Sequence, residues 1–278
     1  MASVAQAGFD STKAYKSWEV DGRFHGDGRE VALLQYMYSH PALERLRGNP
    51  EKVLEAIDAF ARTHTGLINI GEAKGRIVCD VIAHHKPLTI LELGGYIGYS
   101  AIMFGHALKQ AGGERYLSVE KDPLFAAVAA SLVDLAGLRD RVRIVVGTGA
   151  AGIQRLYDEG AFGGSPGSGR SALPIGMAFF DHHKPSYTAD LKRCERLGLI
   201  GRGTVLVADN MVLPGNPPYL AWVRASVAEK REMEAAAAAQ EGEKGNPNLL
   251  YRSRFVPSYE PSGQEDALEI SECLGEAA

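Results

Sequence analysis

"LTILELGGYIGYS", residues 88–100, reads as an apolar strand that runs into a glycine turn and then into a helix. Gly94, Gly95 and Gly98 permit a tight strand-to-helix turn and let a ligand approach the backbone closely. The same rhythm recurs downstream. "RYLSVE" (115–120), "RVRIVVG" (141–147), "GMAFFD" (176–181) and "GTVLVAD" (203–209) are further short apolar runs. Between them lie helical patterns: "YSAIMFGHALKQ" (99–110), "PLFAAVAASLVDLAG" (123–137), "AAGIQRLYDEG" (150–160) and "SYTADLKRCERLGLI" (186–200). Near-continuous apolar strands alternating with helices predict an α/β fold whose parallel sheet is covered on both faces.

Outward from this centre, "NPEKVLEAIDAFARTH" (49–64) predicts a helix capped by Asn49, with Val53, Leu54, Ile57 and Phe60 on one face. "GEAKGRIVCDVIAHH" (71–85) predicts another, with Ile77, Val78, Val81 and Ile82 inward. At the other end, "LLYRSRFVPSY" (249–259) and "ALEISECL" (267–274) predict an antiparallel pair, because no helix fits between them. "GAFGGSPGSGRSALP" (160–174) reads as a flexible insertion, and "EKREMEAAAAAQEGEKGNPN" (229–248) as a helix end followed by a polar loop. Residues 1–30 are polar, glycine-rich and weakly periodic, so residues 1–25 are expected to form an arm and residues 26–278 one domain.

Composition narrows the class. The chain has 278 residues, 45% hydrophobic and 23% charged, which fits one sizeable globular domain. A net charge of -4 offers no basic footprint for nucleic acid. Cys79, Cys194 and Cys273 form neither a CxxC pair nor a zinc spacing, and are expected to be reduced thiols. No apolar run approaches a membrane span in length. These features predict a soluble cytoplasmic protein with a small-molecule partner and no nucleic-acid or membrane partner; a monomer is expected, with an oligomer left open.

Acids at the strand ends point to chemistry. In open parallel sheets, ligands sit beyond the carboxyl ends of the strands. Glu92, Glu120, Asp181 and the pair Asp209–Asn210 all fall at such ends. The glycine spacing from Gly94 is GGxxG, not the dinucleotide GxGxxG. Glu92 at the turn suits a cationic ligand better than a phosphate, and Glu120 stands where an acid holds ribose hydroxyls. Together they suggest an adenosine ligand that carries ammonium or sulfonium charge. Asp181, Asp209 and Asn210 make an all-oxygen set that suits Mg²⁺. The adjacent His182 and His183 have the wrong spacing for two zinc ligands on one helix face. Lys184, partly desolvated beside such an ion, would have a lowered pKa and could take a proton near neutral pH. Each reading has a plainer competitor: a packing turn, a solvated loop or a surface cation.

At these residues the chain resembles the catechol O-methyltransferase family, in its fungal rather than mammalian form. The likeness rests on "VLEAID", "NIGEAKG", "LELGGYIGYSA", "SVEKDP", "LAGL", "FFDHHK", "GTVLVADN", "VLPG" and "DALE", occurring in that order. It implies a Rossmann-like class I S-adenosylmethionine-dependent methyltransferase fold: a seven-stranded, mostly parallel sheet with an antiparallel last strand and helices on both faces. It further implies methyl transfer from S-adenosylmethionine to one hydroxyl of a catechol, dependent on Mg²⁺. By resemblance Asp181, Asp209 and Asn210 match metal ligands, and Lys184 matches the catalytic base. The cosubstrate pocket matches Ile68, Ile70, Glu92, Gly94, Tyr96, Ser100, Glu120, Gly149, Ala150, Asp181 and His182. Lys184, Asn210, Pro214 and Glu260 match the acceptor site. Mammalian members carry tryptophan where this chain has Gly66 and His183, which implies a wider or differently shaped pocket. The alternatives are methylation of larger, acyl-linked phenolics of the caffeoyl-CoA type, a nicotinamide oxidoreductase, and a non-catalytic ligand-binding protein.

Overall fold

Four of the five apolar runs become strands covered on both faces, and the run at 142–146 becomes an edge strand with Arg143 and Val146 exposed. β1 (Thr89–Leu93), β2 (Arg115–Glu120), β3 (Val142–Val146), β4 (Met177–Phe180) and β5 (Val205–Ala208) pair in parallel. Along β4, Met177 and Phe179 enter one core while Ala178 and Phe180 enter the other; Val205 and Val207 against Leu206 and Ala208 repeat this in β5. Side chains alternate across a strand, so an apolar residue at every position requires a helical layer on each side. The structure, a computed structural model, describes residues 8–164, 172–237 and 243–277.

One layer holds α1 (Arg29–Tyr38), the single turn α2 (Leu43–Leu46), α3 (Pro50–Thr63), α4 (Gly71–His85), α5 (Tyr99–Gln110) and α6 (Pro123–Leu135). The other holds α7 (Gly149–Asp158), α8 (Tyr187–Arg196) and α9 (Pro217–Arg224), after which comes α10 (Val227–Ala237). The capping residues act as read: Asn49 accepts from Lys52 N–H at 3.1 Å and opens α3 ahead of Pro50. α3 buries Val53, Leu54, Ile57 and Phe60 as expected. In α4, Val78, Val81 and Ile82 are buried and Ile77 is half-buried. α1 has no counterpart in the sequence reading. Part of the insertion at 165–171 and the loop at 238–242 lie outside the described residues.

The strand order is β3-β2-β1-β4-β5-β7-β6, with β6 (Leu249–Tyr259) and β7 (Glu265–Glu276) completing seven strands. β7 runs antiparallel between β5 and β6, which agrees with an antiparallel last strand. The chain winds outward from β1 to β3, then restarts at β4 on the other side of β1. That reversal between β1 and β4 opens a crevice beyond their carboxyl ends, the usual ligand position in such sheets.

The segment before α1 crosses the same rim. Tyr15 N–H donates to Pro261 O at 2.9 Å and Lys16 N–H donates to Ala61 O at 3.1 Å. Phe9 packs on Tyr259, with ring centroids 5.7 Å apart. At Gly66 a Cβ would lie 2.1 Å from Lys16 O. The backbone of Lys16 and Ser17 fills the space that a Cβ would enter there.

Candidate active site

Register places the two acids together. Leu93, Phe180 and Ala208 are paired across β1, β4 and β5. The next residues continue the ladder: Asp181 N–H donates to Leu93 O at 2.9 Å, and Asp209 N–H donates to Phe180 O at 3.0 Å. Asp181 and Asp209 therefore stand side by side on adjacent strands, about 4.8 Å apart in the pairing direction. Phe180 and Ala208 face the α8 layer, so the acids that follow them turn toward α4. Gly94 closes the row. Its φ of 95° favours glycine, and a Cβ there would lie 2.4 Å from Asp181 O.

Asp181 is bound on its own element. Lys184 Nζ lies 2.9 Å from Asp181 Oδ1 and 3.0 Å from the Tyr187 hydroxyl. Burial pushes the Asp181 carboxyl up to about 6; Lys184 pulls it down and Asp209 adds to the rise. A buried carboxyl beside a second carboxylate is a field which a hard cation relieves.

Asp209 is held from the far side. Its Oδ1 accepts from Lys74 Nζ at 2.7 Å and from Asn210 N–H at 2.8 Å. Lys74 also meets Glu260 Oε1 and Asp266 Oδ2, each at 2.7 Å. Burial works against this ammonium, but Asp209, Glu260 and Asp266 outweigh it and hold its pKa above the ordinary lysine value. Glu260 is pushed up to about 8, first by burial, with Lys74 opposing and Asp209 adding. For Asp266, burial is outweighed by Lys74 and by donors around it, and its pKa falls below the usual range. Asp266 Oδ1 also accepts from Val212 N–H at 2.9 Å and Leu213 N–H at 3.0 Å. It thereby fixes the turn Met211–Gly215 that carries the exposed Pro214.

The donor set fits Mg²⁺. Asn210 Nδ2 donates to Glu260 Oε1 at 2.7 Å, which leaves its amide oxygen turned away from the carboxylates. Asp181, Asp209 and that amide oxygen are hard oxygen donors of the kind that could hold a small dication. A second carboxylate group, Asp209, Glu260 and Asp266, has ligand atoms within 4.8 Å of one another. Its centre is taken by the Lys74 ammonium.

The residues read as a cosubstrate pocket surround the β1 turn. Glu120 Oε2 accepts from Tyr96 N–H at 2.8 Å and Oε1 accepts from Asp122 N–H at 2.8 Å, so its carboxylate is fixed at the end of β2. Tyr96 donates from its hydroxyl to Glu30 Oε1 at 2.8 Å. His182 Nε2 is 2.8 Å from Asp190 Oδ2, its ring stacks on Tyr187 at 4.8 Å, and its Nδ1 is buried without a partner. Gly149 and Ala150 start α7, with Gly149 against Asp190. Ile70 is buried before α4, while Ile68 is 38% exposed at the rim.

Glu92 and Ser100 lie beneath the turn, both buried. Glu92 accepts from Ser118, and its Oε1 has no partner. Burial raises its pKa from 4.5 to about 7, with Ser100 and Ser118 opposing. A carboxyl whose folded pKa is raised gives stability that is full below the unfolded value and lost as pH climbs through the folded one. Without ligand, Glu92 should therefore cost about 3 kcal/mol of folding stability between about pH 4 and about pH 8. Glu92→Gln should remove this dependence and stabilise the chain at the higher pH. Urea unfolding at both pH values reads it, and equal slopes for the two proteins would contradict it.

The sequence reading missed Lys74, Asp266, Glu30 and Asp190. Lys74 left a signal: it lies four residues before Val78, within the buried stripe of α4. A charged residue on such a stripe calls for a buried partner.

Residues 91–211 match the family described as "Methyltransferase domain". The chain is 37% identical to mouse catechol O-methyltransferase over 204 residues, which is 72% of this chain and 70% of the mouse protein. It is 36% identical over 202 residues to a probable O-methyltransferase of Mycobacterium tuberculosis, covering 72% of this chain and 80% of that protein. Among solved structures, an O-methyltransferase from Bacillus cereus in complex with SAH matches with a TM-score of 0.53 at 21% identity, covering 87% of this chain and 97% of that one. A methyltransferase from Podospora anserina, solved with SAH bound, matches with a TM-score of 0.51 at 17% identity, covering 90% of this chain and 97% of that one. These two share the fold.

Proposed function

Because this chain belongs to the catechol O-methyltransferase family, we propose that it transfers a methyl group from S-adenosylmethionine to one hydroxyl of a catechol, with Mg²⁺ at Asp181, Asp209 and Asn210 and Lys184 as general base. The observation that carries this reading is the adjacency of Asp181 and Asp209 at the ends of β4 and β5, beside the glycine turn of β1.

Each side chain has a task. Glu120, fixed by two backbone N–H groups, offers its remaining lone pairs to the ribose hydroxyls. Glu92 and Ser100 beneath the turn, with Gly94, Tyr96, Ile68 and Ile70 around it, hold the methionine end. His182 with Asp190, and the start of α7 at Gly149 and Ala150, line the adenine. Mg²⁺, when bound, supplies a Lewis acid that favours the deprotonated form of a neighbouring hydroxyl. Lys184 accepts the proton of the hydroxyl that is methylated, and Glu260 accepts a hydrogen bond from the second hydroxyl. Pro214 forms part of the acceptor wall. Holding oxygen and sulfonium methyl in line can lower a barrier by about 7–11 kcal/mol.

A panel of simple catechols and acyl-linked phenolics, assayed for methyl transfer with Mg²⁺ and with chelator, tests the proposal. Turnover of simple catechols only with Mg²⁺ is expected. Turnover unaffected by chelator would remove the metal, and no turnover of any catechol would remove the acceptor class. Titration with S-adenosylmethionine against NADH separates this reading from an oxidoreductase.

A further inference from the structure

Three carboxylates converge on one buried ammonium. Lys74 has no exposed surface, and its Nζ lies 2.7 Å from Asp209 Oδ1, Glu260 Oε1 and Asp266 Oδ2 alike. An ammonium carries three N–H donors and no acceptor, so these three oxygens exhaust it. It has no proton left to offer a substrate. The same three residues have the spacing of a cation cage. One of them, Asp209, belongs also to the proposed Mg²⁺ set. Adjoining cages of this kind are the basis of two-metal centres.

We propose that Lys74 is a resident cation that stands where a second divalent ion would otherwise sit, so that the centre takes one metal only. Lys74 is a positioning residue, and its role rests on the Mg²⁺ reading above. It fills the inner cage, fixes one oxygen of Asp209 and leaves the other for the ion. It also sets Asn210. Glu260 Oε1 accepts from both Lys74 and Asn210 Nδ2, and Asp266 Oδ2 lies 3.3 Å from the same amide nitrogen. With its NH₂ held inward, the amide presents its oxygen to the outer cage.

Without Lys74 the three-oxygen cage of Asp209, Glu260 and Asp266 would be vacant, and a second ion could enter.

Mn²⁺ tests this on the protein without cosubstrate, read by calorimetry and by electron paramagnetic resonance. The unaltered protein should bind one Mn²⁺ with an isolated-ion spectrum. Lys74→Ala should bind two and show the broadened spectrum of a coupled pair. Adding Asp266→Ala to Lys74→Ala removes a ligand of the vacated cage and should return the count to one. Lys74→Ala that binds a single Mn²⁺ with unchanged affinity would overturn the inference. If Lys74→Ala folds poorly alone, thermal unfolding with Mn²⁺ decides: the ion should restore a cooperative transition, and a chain still unfolded in saturating Mn²⁺ counts against the proposal. An unaltered protein that binds no Mn²⁺ would instead remove the metal reading itself.

Discussion

Replacing Asp209 with alanine should cut methyl transfer by about a thousandfold or more while S-adenosylmethionine binding stays close to that of the unaltered protein. Asp209 supplies one of the two carboxylates of the proposed ion site, and it is also the side chain through which Lys74 reaches that site. A Lewis acid stabilises developing charge by several kcal/mol, and each 1.4 kcal/mol is a factor of ten in rate. The ribose end of the proposed cosubstrate site, at Glu120, is insulated by distance. Glu120 ends β2, and β1 and β4 lie between it and β5. Three strand spacings make about 14 Å, beyond the range where substitutions usually couple. Lys74 keeps Glu260 and Asp266 as partners in the variant, so its charge remains compensated. Calorimetry with S-adenosylmethionine and a turnover assay over a range of Mg²⁺ separate the two effects. Full activity in chelator would contradict the metal assignment, and loss of both binding and turnover would mean that the rim had collapsed.

The difference between Asp209 and Lys74 shows what the sequence carried. Asp209 was legible because it ends an apolar run, and parallel sheets put such ends at one rim. The inner parallel strands were legible because strands covered on both faces are near-continuously apolar, as in β4 and β5. The terminal pair was legible too: "LLYRSRFVPSY" is β6 residue for residue. Its place in the sheet was not. β7 enters between β5 and β6, and periodicity reports which faces are covered, not which neighbours lie beside a strand. The burial of Ala267, Leu268, Glu269 and Ile270 in β7, set against the exposed run in β6, marks the inner and the edge strand only once folded. α1 went unread because its buried positions include Arg29 and Glu30. Arg29 pairs with Asp27 at 2.7 Å and donates to Gly66 O, and Glu30 accepts from Gly26 N–H and from the Tyr96 hydroxyl, so both charges are held by groups that lie partly outside the local pattern. Lys74 and Asp266 are 192 residues apart, and no local pattern joins them. Glu260 meets Lys74 and Asn210, partners 186 and 50 residues away that no local pattern joins to it.

Lys184→Met should lower kcat by about a hundredfold to ten-thousandfold, the usual worth of a positioned general base, with little change in KM. The side chain stands at the outer edge of the rim, bonded to Asp181 Oδ1 and Tyr187, and is partly open to solvent, so a methionine of similar length fits without a buried void. The sharper expectation concerns the acceptor. A base matters most when the proton it takes is held tightly, so the loss should shrink as the catechol hydroxyl becomes more acidic. A nitro-substituted catechol should suffer far less than an unsubstituted one. A merely structural lysine would give equal losses for both. One side effect has a known sign. Lys184 pulls the Asp181 carboxyl down against burial. Without it Asp181 holds its proton to higher pH, and any metal binding that needs the carboxylate weakens as pH falls through that raised value. The comparison therefore belongs in saturating Mg²⁺ on the alkaline side, where Asp181 is ionised in both proteins. An unchanged kcat for both acceptors there would remove Lys184 as the base and leave it as the counter-ion of Asp181 alone.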